Sequence, residues 1–323
     1  MESSLLKNEE AAGIKMLIPY FIILVGFMII PAFTSSLYWL GIFIIVMYRI
    51  IGAVSIRVIF LSGNIIFALG AFIALGAYCG GILARDFGMP PYVTLPAGGI
   101  FAALISVLVG MPFVRLRGLY YSMATMFLGV GIMNIIQALG ITGGYRGLFR
   151  IPQISDSIFT NYYIFVALAV VSLVAMYRFE FSRIGVTLRA LAQSPDVATS
   201  VGINETFYRL LAVGFGSFFA GVSGAAFALY STVLSPTNYS MGFSMSFVIF
   251  MFIGGELQFI GPIIGSIILV LLPEVGRGIG LYAPYLSAAA LLIVAYLIPG
   301  GIAGIPDFIR ERKDKKVKTG KEA

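Results

Sequence analysis

Residues that commonly perform enzyme chemistry are scarce in this sequence of 323 residues. It contains no histidine and one cysteine, Cys79, which excludes an intrachain disulfide, His-ligated metal sites and His-based acid–base catalysis. It also lacks the phosphate-binding loop GxxxxGK(S/T) and the motifs HExxH, CxxC and GxSxG. We therefore expect neither an enzyme nor an ATPase, without catalytic or metal-binding residues, and we expect Cys79 to be a small packing residue.

Polar side chains in otherwise apolar segments are the first candidates for a functional role. Burying such a group without a partner costs roughly 1–3 kcal/mol, so it either lines a pathway or bonds a neighbouring helix. Both interpretations stay open for six residues, namely Asn64, Thr125, Asn134, Gln137, Ser223 and Glu256. Glu256 follows two glycines, and a position at the cytoplasmic surface is a further alternative for this ionisable side chain.

The polar stretch 179–208 is the second candidate, because it mixes charges with segments compatible with helices. The predicted helices are 185–193 and 195–201, with Ser194 as an N-cap, Pro195 at the first helical position and Gly202 as the stop. Short helices between two apolar segments suit docking to a soluble partner. A solvated connecting loop is the alternative.

The composition indicates that lipid surrounds most of the chain. Hydrophobic residues make up 59% and charged residues 11% of the sequence, against roughly a quarter charged in soluble domains. The apolar blocks approach the roughly 20 residues that a helix needs to cross a bilayer, and they do not alternate as barrel strands do. We predict an all-α polytopic bundle of about ten spans: 17–33, 38–56, 58–84, 92–113, 119–141, 161–178, 209–234, 243–255, 260–274 and 280–299.

The distribution of basic residues predicts the orientation of this single membrane domain, 1–323. With ten crossings and both termini in the cytoplasm, 17 of the 21 Lys and Arg residues face inward. The four on the outside are Arg85, Arg146, Arg150 and Arg277. The segments 1–16, 179–208 and the basic tail 306–323 are then cytoplasmic, the loop 142–160 is external, and 17–33 is a retained span rather than a signal peptide.

Two of the predicted spans contain breaks. Ser62, Gly63 and Asn64 interrupt the segment 58–84. Glycines and a proline interrupt 243–274, which we interpret as two short crossings or a deep re-entrant pair. Freed backbone groups are tolerated at membrane depth only beside protein or a water-filled cavity, so the break in 243–274 is expected inside the protein. For 58–84, close helix packing and a turn at Asn64 that lines a pathway both remain open. A strict four-residue spacing predicts one smooth helix face: Ala212, Gly216, Ala220, Gly224 and Ala228.

Several ordered motifs over about residues 58–305 resemble a known family. They are Arg115 to Thr125, Thr142 to Gly147, Ser182 to Gly185, Gly202 to Asn204, Ala220 to Ala225, Gly261 to Gly265 and Leu272 to Glu274. In this order they are similar to the permeases of branched-chain amino acid ABC importers of the LivM type. The sequence departs from the family pattern at Leu257, where a glycine is usual, and at Gly131, near which an acidic residue is common.

The resemblance implies a complex in the cell inner (plasma) membrane. Its partners would be a homologous second permease subunit, two ATP-binding-cassette ATPase subunits and an extracytoplasmic solute-binding protein. No cofactor would bind to this chain, because ATP and Mg belong to the ATPase subunits. The implied ATPase-coupling residues are Ser182, Arg183, Gly185, Arg189, Asp196, Gly202 and Asn204. Permeases for sugars or nucleosides, and a secondary transporter or channel, remain alternatives.

Overall fold

The computed structural model describes residues 36–256 and 258–275. The predicted spans 17–33 and 280–299, the N-terminal segment 1–16, the tail 306–323, Leu257 and Arg277 lie outside the described residues. Ten α-helices occur within the described ranges: α1 Leu37–Phe60, α2 Leu69–Phe87, α3 Pro91–Gly110, α4 Leu119–Ala138, α5 Ile158–Glu180, α6 Arg183–Gln193, α7 Pro195–Ser200, α8 Glu205–Ser231, α9 Met241–Gly254 and α10 Gly261–Val275.

Six of these helices are long and apolar enough to cross a membrane, namely α1 to α5 and α8. The part of the chain that the structure describes contains no strand beyond one isolated bridge, so the predicted all-α fold is confirmed there. Helices α9 and α10 are shorter, with 14 and 15 residues. At a rise of about 1.5 Å per residue, each is shorter than the roughly 30 Å hydrocarbon layer.

The centre of the bundle consists of α1, α2 and α8, which bury most of their residues. Helices α3, α4 and α5 bury only about a third of theirs and carry large exposed apolar side chains such as Leu104, Phe127 and Val171. An apolar surface of this extent indicates contact with lipid rather than with water.

Small residues bring α8 into direct contact with its neighbours. A Cβ atom on Gly216 would lie 2.8 Å from the Ser55 carbonyl oxygen of α1, and one on Gly224 would lie 2.1 Å from the Ile73 carbonyl oxygen of α2. On a different side of α8, a Cβ atom on Gly221 would lie 2.8 Å from the Gly98 carbonyl oxygen of α3. The predicted smooth face of α8 is therefore confirmed, and it packs on two helices at once.

The predicted boundary between the spans 38–56 and 58–84 is wrong, because α1 continues through Arg57 to Phe60. Arg57 is accommodated inside the helix because a buried ion pair with Glu180 neutralises its charge. The interruption at Ser62, Gly63 and Asn64 is confirmed and extends over 61–68, before α2 begins.

Arg49 lies inside the predicted span 38–56, although the count of inward-facing basic residues included it. It lies near the middle of α1, where its Nη1 donates to Ser246 Oγ at 3.0 Å and its guanidinium stacks 4.4 Å from the Phe243 ring centroid. A hydroxyl and an aromatic face compensate the charge at this depth, which the sequence pattern alone does not reveal.

Helices α9 and α10 form a tight antiparallel hairpin, so the break in 243–274 does separate two short helices. A Cβ atom on Gly254 would lie 1.8 Å from the Gly261 carbonyl oxygen, and one on Gly265 would lie 2.0 Å from the Phe250 carbonyl oxygen. Only glycines permit the two backbones to approach this closely.

The helix ends define two faces of the bundle. The loop face, as we name it, contains the start of the 61–68 break, the loop 111–118, α6 with α7, and the turn 255–260. Its members touch one another, as when Arg117 pairs with Asp196 or Arg57 bonds the Glu256 carbonyl. On the opposite face, the loop predicted as 142–160 begins with short 3-10 turns, and its Leu148 pairs with Leu234 through backbone hydrogen bonds of 2.9 and 2.8 Å.

Candidate functional site

The predicted coupling loop folds into two short helices at the loop face. Helix α6 begins after Ser182, whose Oγ donates to the Phe179 carbonyl oxygen at 2.7 Å. Pro195 occupies the first turn of α7, and Gly202 follows with a φ of +87°, so both predicted signals are confirmed. Ser194 precedes α7 but makes no capping hydrogen bond with its side chain.

Arg117 attaches these helices to the bundle. Its Nη1 donates to Asp196 Oδ1 and its Nη2 donates to Glu205 Oε2, both at 3.1 Å. The hydrogen bond to Asp196, followed by the one to Glu205, raises the pKa of the Arg117 guanidinium above its ordinary value. This one side chain therefore joins the loop 111–118 to α7 and to the first turn of α8.

The outer surface of α6 and α7 combines apolar and basic side chains. Val186, Val197 and Val201 are 58%, 63% and 73% exposed, and Arg183 is exposed beside them. Exposed apolar side chains next to charges are typical of a protein–protein contact. Asn204, one of the predicted coupling residues, caps α8, because its Oδ1 accepts a hydrogen bond from the Phe207 amide at 3.1 Å.

The broken segment 61–68 returns from the loop face into the bundle alongside α4. Two hydroxyls of α4 bond its backbone: Ser122 Oγ donates to the Ile65 carbonyl oxygen at 3.0 Å, and Thr125 Oγ1 accepts from the Phe67 amide at 3.3 Å. The break is therefore stabilised by side chains, as an irregular segment at membrane depth requires. Asn64 is 4% exposed, and its Nδ2 has no hydrogen-bond partner in the described part of the chain.

A cavity of about 170 Å³ lies where this segment, α4 and the start of α9 meet. Helix α9 runs from the cavity to the loop face, since Ser244 bonds the Gly70 amide near one end and the turn after Gly254 reaches Arg57 at the other. The lining residues are Phe67, Ala71, Met126, Gly129, Val130, Met133, Asn134, Gln137, Tyr239, Ser240, Met241 and Ser244.

The six predicted pathway residues occupy different places. Asn134 and Gln137 line the cavity, Asn64 belongs to the break beside it, and Thr125 of α4 bonds the backbone of that break. Ser223 is buried in α8, donates to the Ala220 carbonyl oxygen at 2.8 Å and is absent from the cavity lining. The cavity serines Ser240 and Ser244 were not predicted, because single serines in apolar sequence carry no distinguishing pattern.

Glu256 lies at the loop face, in the turn between α9 and α10, with its side chain half-buried. Its carbonyl oxygen accepts a hydrogen bond from Arg57, so the backbone rather than the carboxylate makes the inward contact. Arg57 in turn forms a bidentate pair with Glu180 at the end of α5, with distances of 2.6 and 3.0 Å. Sequence patterns did not pair these two residues, which are 123 positions apart.

Gly131 and Cys79 line a second space, a groove of about 600 Å³ along α2, α3 and α4 whose lining is almost wholly apolar. The departure from the family pattern at Gly131 therefore lies in this groove and not in the polar cavity. Among the described residues, no group of three or more potential ligands could hold a metal ion.

Broken apolar helices around a polar cavity, with exposed helices on one face, define a polytopic membrane protein with a candidate pathway. The chain belongs to the family of permease components of branched-chain amino acid transport systems, whose model matches residues 38–299.

Curated relatives agree with this family. The high-affinity branched-chain amino acid transport permease LivM of Salmonella typhimurium is 25% identical over 303 residues, which cover 84% of this chain and 70% of the relative. LivM of Escherichia coli is 26% identical, covering 79% of this chain and 67% of the relative. The nucleoside ABC transporter permease NupC of Lactococcus lactis is 30% identical, but over 45% of this chain and 51% of the relative.

Among solved structures, PsaBC from Streptococcus pneumoniae in complex with Fab is distantly similar. It has 16% sequence identity and a TM-score of 0.43, and the match covers 81% of this chain and 90% of that chain.

Proposed function

We propose that this chain is one permease subunit of an ATP-driven importer and forms half of the pathway for branched-chain amino acids. The match to the family over residues 38–299 carries the proposal. The exposed apolar faces of α3, α4 and α5 suit a multi-pass protein of the inner membrane. Because the sequence has no phosphate-binding loop, hydrolysis belongs to separate ATPase subunits, which bind ATP and Mg.

The loop face is cytoplasmic in this proposal, and α6 with α7 is the surface on which an ATPase subunit docks. The exposed Val186, Val197 and Val201 provide an apolar contact, while Arg183 and Arg189 provide charge. A solute-binding protein delivers substrate to the opposite face. A homologous permease subunit forms the other half of the pathway.

The cavity between the 61–68 segment, α4 and α9 is the proposed binding site for the amino acid along the pathway. Its amides and hydroxyls, on Asn134, Gln137, Ser240 and Ser244, can bond the charged amino and carboxylate groups of a substrate. The remaining lining is mainly apolar and contains three methionines, whose flexible side chains adapt to branched aliphatic groups. A site of this kind binds both ends of an amino acid without a metal or a charged residue in its lining.

Nucleosides are the second candidate substrates, because NupC of Lactococcus lactis, a nucleoside ABC transporter permease, is similar over part of this chain. The two solute classes differ in shape and in polarity. A branched aliphatic side chain presents only apolar surface, whereas a nucleoside adds ring nitrogens and ribose hydroxyls that require further hydrogen-bond partners.

Reconstitution tests the proposal directly. The permease complex, with its ATPase subunits and a loaded binding protein, is placed in liposomes, and uptake of radiolabelled leucine and of uridine is measured. We expect ATP-dependent leucine uptake that unlabelled isoleucine and valine compete for, and no uptake with ATPase subunits that bind ATP but cannot hydrolyse it. Uridine uptake without leucine uptake would indicate that nucleosides are the substrates. Uptake that is independent of ATP would refute the proposal of an ABC importer.

A further inference from the structure

One buried ion pair joins the end of α1 to the end of α5. Arg57 Nη2 lies 2.6 Å from Glu180 Oε1, and Arg57 Nε lies 3.0 Å from Glu180 Oε2. The side chains are 4% and 2% exposed. A bidentate fork fixes the orientation of both groups, and separating them would leave an uncompensated charge in the interior. The two helix ends therefore move as one unit.

One side of this pair contacts α6. Arg189 Nη1, on the exposed surface of α6, lies 3.8 Å from Glu180 Oε1. A Cβ atom on Gly185 would lie 2.0 Å from the Glu180 carbonyl oxygen, so the α6 backbone rests directly on the end of α5. Any displacement of α6 is consequently transmitted to Glu180 through the backbone and through a second cation.

The other side of the pair contacts the turn between α9 and α10. Arg57 Nη1 donates to the carbonyl oxygen of Glu256, and Gly255 before it has a φ of +117°. From this turn α9 runs to the polar cavity, where Ser244 near its other end is part of the lining. A single guanidinium thus lies between the surface helices and a wall of the cavity.

We propose that Arg57 and Glu180 are positioning residues, which carry displacement of α6 and α7 to the α9–α10 turn and through α9 to the cavity. This inference rests on the proposed function, in which an ATPase subunit moves α6 and α7. A contact can transmit a change of state only if its geometry is held on both sides. The fork to Glu180 and the bond to Glu256 supply that geometry.

The substitution Arg57→Lys tests the proposal, because lysine keeps the charge but cannot form the fork and reach the Glu256 carbonyl together. The complete complex is reconstituted in liposomes with its ATPase subunits and a loaded binding protein, and uptake is measured per ATP hydrolysed. We expect uptake per ATP to fall about tenfold or more, the scale of one charge-assisted hydrogen bond, while ATP hydrolysis continues. Arg85→Lys, at an exposed pair with Asp86 on the opposite face, is the matched control and should leave the ratio unchanged.

A second readout reports on the turn itself. Gln258→Cys is introduced in a Cys79→Ser background, and its rate of maleimide labelling is measured with and without trapped nucleotide. With Arg57 in place the rate should depend on nucleotide, and with Arg57→Lys this dependence should disappear. A purely structural role for the pair predicts that assembled complex, hydrolysis and uptake fall together, and that labelling stays nucleotide-dependent.

The outcomes separate the two levels of the proposal. If the unsubstituted complex shows no ATP-dependent uptake, the proposed function itself fails. If that complex is active but Arg57→Lys retains normal uptake per ATP, or loses hydrolysis and uptake in parallel, the positioning role of Arg57 and Glu180 is overturned.

Discussion

Substituting Gly76 with alanine tests whether the centre of the bundle depends on direct contact between helix backbones. Gly76 lies where α2 crosses α8, and an added Cβ atom would lie 2.2 Å from the Gly221 carbonyl oxygen and 2.4 Å from its Cα atom. Ordinary contacts of a Cβ atom are 3.4–4 Å, so the two backbones must separate by about 1 Å or more. Neither neighbour can rotate away, since both atoms belong to the backbone.

The cost of this substitution follows from overpacking, which is typically about 1–3 kcal/mol, and backbone contacts favour the upper half of that range. Alanine also gains up to about 1 kcal/mol over glycine in helix propensity. Gly131→Ala is the matched control, because nothing lies within 4 Å of its added Cβ atom in a helix of similar length. The difference between the two variants cancels propensity and isolates the clash.

The assay is titration of the purified complex with sodium dodecyl sulfate, with helix content as the measure of unfolding. We expect Gly76→Ala to be less stable than Gly131→Ala by about 2–3 kcal/mol. Equal stability of the two variants, or a more stable Gly76→Ala, would refute the close approach of α2 and α8.

Three further outcomes are expected. In the double variant Arg189→Glu with Asp196→Arg, the new glutamate lies beside Glu180 and the new arginine repels Arg117. The variant should insert normally but lose most of its uptake per ATP. Normal uptake would exclude α6 and α7 from coupling. Asn134→Leu should lower uptake about tenfold or more, whereas Ser223→Ala should not; equal effects would remove the cavity from the pathway. Thr125→Val leaves the Phe67 amide unpaired and should lower the free energy of unfolding by about 1–3 kcal/mol. Thr125→Ser keeps the hydroxyl and should retain the original stability. Equal stability of the two variants would contradict the role of the hydroxyl.

Local rules predicted those parts of the fold that depend on neighbours in sequence. The four-residue spacing from Ala212 to Ala228 predicted a smooth helix face, and Gly216 and Gly224 do contact other backbones. Pro195 and Gly202 predicted the start and the end of α7 for the same reason, since caps and stops act within one helical turn. The identity of the helices that pack on α8 was not predictable, because glycine carries no information about its partner.

Long-range charge compensation accounts for the errors. The predicted span ended at 56, whereas α1 continues through Arg57, whose partner Glu180 is 123 residues away in sequence. Arg49 was counted among the inward-facing basic residues, and Ser246 and the Phe243 ring stabilise it near the middle of α1. The sequence shows that a charged residue lies in an apolar helix, where burial of the charge is unfavourable. Only the structure shows which groups compensate that charge.

The sequence predicted only some of the residues in the candidate pathway, because it does not show which group each polar side chain bonds. Asn134 and Gln137 are conspicuous in apolar sequence and do line the cavity. Thr125 was equally conspicuous, but its hydroxyl bonds the backbone of the 61–68 break. Ser244 was missed, although it bonds the Gly70 amide and lines the cavity, because serine is common in apolar helices and usually bonds its own helix.

Accessibility of Val197, in α7, tests the central claim most directly, namely that the loop face is the cytoplasmic side that meets the ATPase. Val197→Cys in a Cys79→Ser background leaves one thiol for labelling, at a position that is 63% exposed. A membrane-impermeant maleimide should label it in inside-out vesicles stripped of ATPase subunits, and not in intact cells. Labelling in intact cells would place α6 and α7 on the external face and contradict the account.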